Sequence, residues 1–139
     1  MSAVKMIAVF TENKAGEVAR ITRIIADAGA NIRWITIATN SGCGIMKLLI
    51  DKCDLALQSL KQKGCVVSFI EALAIEVKDK PGSLKAVCEC LAKAGINVEN
   101  TSGFVANNRA VLVIEVQNTP AATAVLAQPS IVPSAAAPP

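Results

Sequence analysis

The sequence predicts an α+β protein made of two βαββαβ units in tandem, each an antiparallel sheet with its helices on one face. Three observations predict it. Sliding the chain against itself by 66 residues aligns Lys14-Ala15-Gly16 with Lys80-Pro81-Gly82 without a gap. The same offset aligns Ala26, Ala28, Gly29 and Asn31 with Ala92, Ala94, Gly95 and Asn97, and the apolar positions stay in phase from Ile7/Leu73 to Leu60/Leu126. Within each copy, short β-prone runs and helical stripes follow in one order.

Lys5 to Phe10 and Leu73 to Val77 are the first strands, the second alternating apolar residues with Ala74 and Glu76. A turn follows in each copy, Glu12 to Gly16 and Lys78 to Gly82. Pro81 suits a first helical turn, because its fixed φ is helical and its missing N–H is not needed there. Val18, Ile21, Ile25 and Ala28 form one apolar helix stripe; Leu84, Val87, Leu91 and Ala94 form its counterpart. Gly29 and Gly95 end these helices, where a left-handed residue closes the last carbonyls.

Asn31 and Asn97 open the second strands, Ile32 to Ile37 and Val98 to Ser102. Turns at Ser41-Gly42 and Asn107-Asn108 lead into third strands at Ile45 to Ile50 and Val111 to Val116. Asp54 is the expected cap of a second helix reaching Lys63, with Leu57 and Leu60 inward. Gly64 ends it, and Cys65 to Ile70 form the fourth strand. Only Glu71 and Ala72 separate that strand from the next copy, so no flexible linker joins the units. The second copy fades: Ala121 to Gln128 reads as a helix, and Pro129 and Pro133 leave little for a fourth strand. The expected domains are 1–70 and 71–133, with an Ala/Pro-rich disordered tail over 134–139. This is the ferredoxin-like arrangement, twice over.

Composition narrows the function. Of 139 residues, 53% are hydrophobic but only 3% aromatic, so the core must be built from Ile, Val, Leu and Ala. Units of about 65 residues bury a small share of their surface and are marginal alone, which favours the two units packing on each other, on a second chain, or both; a homodimer is expected. The net charge of +3 is spread along the chain, and Lys61 and Lys63 fall where cations are expected at a helix C-terminus. The third strands carry no aromatic residue for base stacking, so a nucleic-acid partner is not expected. Five cysteines without a Cys-x-x-Cys pair, and no histidine, argue against a metal site. They read as small buried hydrophobes in a reducing cytoplasm. No apolar run approaches the about 18 residues of a membrane span, and Met6 to Phe10 is too short for a signal peptide. Neither cofactor nor catalytic constellation is expected, since no acid–base histidine or activated cysteine is present.

The loop Asp79-Lys80-Pro81-Gly82-Ser83-Leu84 is followed, thirteen residues after its glycine, by Gly95-Ile96-Asn97-Val98. This resembles the ACT-domain signature, in which Asn or Asp precedes Pro-Gly-x-aliphatic and Gly-x-Asn-aliphatic opens the second strand. The first copy carries a weaker version, Asn13-Lys14-Ala15-Gly16-Glu17-Val18 with Gly29-Ala30-Asn31-Ile32. The match spans residues 4 to 128, and the chain is most similar to short stand-alone tandem ACT proteins without a catalytic domain. The resemblance implies an amino-acid-binding regulatory protein whose ligand sits between this loop and the second strand of a neighbouring unit. Its ligand residues would be Asp79, Pro81, Gly82, Ser83, Leu84, Asn97 and Val98, with Asn13, Gly16, Val18, Asn31 and Ile32 in the first copy.

The loop's chemistry suits a zwitterion. A helix N-terminus offers unpaired N–H groups to a carboxylate, Gly82 lets backbone come close, and Asp79 can accept from an α-ammonium group. Taken singly, the same residues also describe an ordinary turn and helix start. The first copy departs at Ala15 and at Glu17, an anion where a ligand carboxylate would sit, so ligand is expected first at the second loop. Small residues near it include Thr101, Ser102 and Ala106. Two functions follow: a sensor that binds an amino acid and signals to a metabolic enzyme, or an adaptor that pairs through sheet edges without a small ligand.

Overall fold

The two βαββαβ repeats are realised in the computed structural model, which describes residues 1–128; the expected tail over 134–139 and the domain end at 133 lie outside the described residues. The order is β1 (Ser2–Glu12), α1 (Glu17–Asp27), β2 (Ile32–Asn40), β3 (Cys43–Ile50), α2 (Cys53–Gln62) and β4 (Val66–Lys78). It continues with α3 (Ser83–Lys93), β5 (Val98–Ala106), β6 (Arg109–Val116) and α4 (Thr119–Leu126). The chain divides into Lys5–Ile70, here the N-terminal unit, and a C-terminal unit formed by Met1–Val4 together with residues from Glu71 onward.

In the N-terminal unit the strand order is β2-β3-β1-β4. Ile7 pairs with Leu48 and Val9 with Met46, so these four share one face. There they meet Ile21 and Ile25 of α1 and Ala56, Leu57 and Leu60 of α2. Burying each such Ile, Leu, Val or Met side chain contributes roughly 1.5–3 kcal/mol, which compensates for the scarcity of rings. The helices end as the repeat implies. Gly29 donates to Ala26 O at 2.9 Å and Ala30 to Ile25 O at 3.2 Å, closing the last carbonyls of α1. The same pair of bonds recurs at Gly64 and Gly95.

In the C-terminal unit the order is the start of β1, then β4, β6 and β5. Leu73, Ile75 and Val77 of β4 pack with Leu112, Ile114 and Val116 of β6 under Val87 and Leu91 of α3 and Ala122 and Leu126 of α4. Among the described residues no strand follows α4; the start of β1, Met1–Val4, lies beside β4 in this unit, and Met1 packs against its core. Periodicity could not reveal that, because the partner lies at the other end of the chain. α4 starts at Thr119, two residues earlier than the apolar pattern indicates, because Asn118 Oδ1 accepts from the Ala121 N–H at 3.0 Å.

Several local expectations are corrected. Asp54 does not cap α2. Lys52 occupies the cap position without a side-chain cap bond, its Nζ donating to Gly29 O at 3.1 Å, and Asp54 sits in the first turn, paired with Lys5 at 2.7 Å. Pro81 lies in the turn before α3, not in its first helical turn, since Gly82 is the N-cap. Val18 and Leu84, expected to head the apolar stripes, are 42% and 47% exposed, because the first helical turn overhangs the end of the core. The cysteines are not buried: Cys43 and Cys88 are exposed, and Cys53, Cys65 and Cys90 are half-buried. Two of the half-buried thiols find backbone acceptors, Cys90 at Val125 O (3.1 Å) and Cys53 at Lys5 O (3.8 Å).

Candidate ligand site

In the C-terminal unit, the loop between β4 and α3 stands beside the free edge strand β5. Its turn depends on Gly82, whose φ of 89° is left-handed and strained for any residue with a Cβ. Gly82 O accepts the first helical bond from Ala86 at 2.9 Å, and no side chain caps the helix. The N–H groups of Leu84 and Lys85 therefore remain for water or a ligand. A hydrogen bond from Asp79 N–H to Asn108 O (3.3 Å) ties the loop to the turn between β5 and β6. The Arg109–Glu76 ion pair, at 2.8 Å, holds the root of that turn.

Between the loop and the second strand of its own unit, where the family resemblance implies the strand of a neighbouring unit, lies a hollow of about 390 Å³. One wall is Asp79, Lys80, Ser83 and Leu84; the opposite wall is β5 from Thr101 to Val105. The floor is read from register. Thr101, Gly103 and Val105 face Ile114, Leu112 and Ala110, so they share the helix-covered face of the sheet. Leu112, Ala110 and Val77 complete the floor.

Of the residues expected here, Asp79, Ser83 and Leu84 line the hollow. Pro81 and Gly82 shape the loop without lining the hollow, and Asn97, just before β5, and Val98, its first residue, lie outside the lining. Thr101 and Ser102 belong to it; Ala106 does not. Sequence reasoning missed Gly103, Val105 and Leu112. One signal was available: at the repeat offset Gly103 replaces Ile37, a loss of a whole side chain on an edge strand.

The N-terminal unit repeats the loop but answers it differently. Gly16, with φ 92°, again forms the turn and caps α1. Glu17 stands at the position of Ser83. It accepts from the Thr11 hydroxyl and from Arg20, whose Nε lies at 3.0 Å and Nη2 at 3.2 Å. These bonds, Arg20 foremost, hold its carboxyl down to about 2. Asn13 N–H donates to Gly42 O at 2.8 Å, the counterpart of the Asp79 latch. Asn31 works through its backbone: its N–H donates to Asp51 Oδ1 at 2.8 Å and its carbonyl accepts from Asp51 N at 3.1 Å. The bond donated by Asn31 N–H, with one from Lys52 N–H, lowers the Asp51 carboxyl. Ile32 packs against the core, and Val18 is exposed.

A second hollow, about 410 Å³, lies between α1 and the C-terminal end of α2 and is edged by Arg20, Arg23, Asp27 and Lys63. Arg20 there is engaged by Glu17, and Lys63 is the C-cap of α2, where a cation complements the last carbonyls. Among the described residues no three His, Cys, Asp or Glu side chains gather to hold a metal ion, and no helix is long and apolar enough to cross a membrane.

Two such units, each with a glycine-turned loop at a helix N-terminus beside an open edge strand, define a tandem ferredoxin-like protein. The chain belongs to the ACT domain pair family, which matches it over residues 2–132. Among solved structures it is similar to protein BT0572 from Bacteroides thetaiotaomicron, with 28% identity and a TM-score of 0.86 over 94% of this chain and 90% of that one. It shares its fold with the regulatory subunit of aspartate kinase from Thermus thermophilus in its ligand-free form. That match has 15% identity and a TM-score of 0.64 over 89% of this chain and 92% of that one. A similar fold occurs in E. coli aspartokinase III in complex with aspartate and ADP, with 16% identity and a TM-score of 0.58. That match takes in 89% of this chain and 31% of the aspartokinase. No curated protein matches the chain in sequence.

Proposed function

We infer that the chain is a non-catalytic regulatory protein that binds a free amino acid in the C-terminal unit and passes that occupancy to a metabolic enzyme. The observation that carries this reading is the hollow itself: an uncapped helix N-terminus and Asp79 stand over an apolar floor. The free N–H groups of α3 suit a carboxylate and Asp79 suits an α-ammonium group, so one wall serves both ends of a zwitterion. Membership of the ACT domain pair family and the fold shared with an aspartate kinase regulatory subunit support a regulatory role.

The N-terminal loop is the structural member of the pair. Glu17 places a carboxylate of the chain's own at the helix start, and Thr11 and Arg20 satisfy it. Asn13, Gly16, Val18, Asn31 and Ile32 then maintain the unit, and one amino acid binds per chain. The protein acts in the cytoplasm as a homodimer. Binding shifts whichever assembly holds the loop closed, by the difference in affinity between states.

The test is a thermal-shift screen of the twenty amino acids on wild type and Ser83→Glu, followed by calorimetry. At least one amino acid should raise the wild-type melting temperature at millimolar concentration and leave Ser83→Glu unmoved. If none does, the sensor reading fails. An adaptor reading then takes its place, favoured by Ile35 and Ile37, which are 40% and 42% exposed on edge strand β2.

A further inference from the structure

We propose that the hollow of the C-terminal unit selects amino acids with an uncharged aliphatic side chain, and that Leu112, lying across Gly103, sets how long that side chain can be. This rests on the amino-acid reading above and adds the class of ligand.

Charge is distributed unevenly around the hollow. Lys78, Asp79 and Lys80 all stand on the loop side, at the level of the α3 N-terminus. The floor, from Val77 across Ala110 and Leu112 to Gly103 and Val105, holds no ionisable side chain. A ligand with its α-carboxylate and α-ammonium groups at the loop directs its side chain onto that floor. A carboxylate or ammonium set over buried Val77 and Leu112 would lose water and find no counter-charge there. An aliphatic chain gains from each methylene it buries at the same place. The volume, about 390 Å³, lies near the small end for ligand pockets, which fits a single amino acid.

Depth is set by one contact. A Cβ on Gly103 would come within 2.6 Å of Leu112 Cδ2 and 2.9 Å of Val111 O, so the Leu112 methyl already fills the space over that glycine. Shortening Leu112 therefore extends the floor, while lengthening residue 103 cannot be accommodated without movement. At the repeat offset the pair is Ile37 and Met46. The N-terminal unit thus places a side chain on strand where the C-terminal unit has none.

The test is calorimetry on the full chain with valine, leucine, isoleucine and methionine, against alanine, aspartate and lysine. Aliphatic amino acids should bind at least about tenfold more tightly than the other three, the discrimination expected from one or more methylenes or an unpaired charge. Leu112→Val should move preference toward the longer aliphatic chain by about tenfold. Val105→Asp alters a residue 59% exposed, so folding is spared; it should weaken leucine binding and admit lysine. Aspartate or lysine binding as tightly as leucine, at a site that Ser83→Glu abolishes, overturns the side-chain class and leaves the amino-acid reading standing. Binding of no amino acid at all overturns both.

Discussion

Arg20 donates from Nε to Glu17 Oε1 at 3.0 Å, and the carboxylate it holds occupies the position that Ser83 leaves open in the second repeat. The pair sits one turn apart on α1, and Thr11 on β1 adds a third bond to the same carboxylate. The Glu17 carboxyl therefore titrates at about 2 in the folded chain against an ordinary 4.5. A depressed carboxyl pKa stabilises the fold above the unfolded value and loses that effect as pH falls through the folded value. Wild type should be more stable than Glu17→Gln above about pH 5, and the two should converge as pH approaches about 2. Denaturant midpoints measured across that range check it. A constant difference at every pH would remove the ionised carboxylate from the explanation.

Gly103 has a steric role separable from ligand binding. Its position on β5 leaves no room for a methyl, with Leu112 Cδ2 at 2.6 Å and Val111 O at 2.9 Å from the Cβ it would carry. The nearer atom is the end of a flexible side chain; the carbonyl belongs to the paired strand and yields less. Gly103→Ala should therefore destabilise the C-terminal unit by about 1–3 kcal/mol, the usual cost of overpacking. Urea unfolding followed by a probe in that unit reads it. Adding Leu112→Val should recover only part of the loss, because the Val111 carbonyl remains.

How far the sequence reaches can be judged from such residues. Gly29, Gly64 and Gly95 were legible as helix ends because each closes bonds to residues three to five positions earlier, a local matter. The turns at Ser41-Gly42 and Asn107-Asn108 were legible for the same reason, and their φ values are all positive. The place of Met1–Val4 in the second unit was not, since nothing local marks a partner so distant in the chain. Loop and helix start were readable at the site as Asp79, Ser83 and Leu84. The floor was not: which of Thr101 to Val105 faces it depends on the register of β5 against β6, and a bulge shifts that register between Val98 and Asn100. Leu84 and Val18 show the opposite failure, where a correct helical period marks as core two residues that overhang it.

The loop glycine links stability to binding. Gly82 holds φ at 89° with nothing near its would-be Cβ, so substitution meets backbone strain and no clash. Gly82→Ala should cost about 1–2 kcal/mol of stability, the penalty for a left-handed L-residue. Relaxing that strain turns the free N–H groups of Leu84 and Lys85 away from Asp79, so amino-acid affinity should fall together with stability. Calorimetry and thermal unfolding on the same sample check both. Gly16→Ala, in the loop with its own carboxylate, should cost similar stability and leave affinity unchanged.

The borrowed strand gives a prediction about cooperation along the chain. Met1–Val4 stands beside β4 in the C-terminal unit, and Met1 packs against the cluster of Leu73, Ile75 and Leu126. A chain beginning at Lys5 keeps every residue of the N-terminal unit but leaves the outer edge of β4 unpaired from Glu71 onward. The loss should be about 1–3 kcal/mol, the scale of one buried side chain, with the strand's hydrogen bonds returned to water. It should fall on the C-terminal unit alone. Hydrogen exchange separates the units: amides of Ala72 to Val77 should exchange faster in the shortened chain, while those of Ile7, Val9 and Leu48 keep their protection. Equal acceleration in both sets would show that the N-terminal residues serve the whole chain and not one repeat.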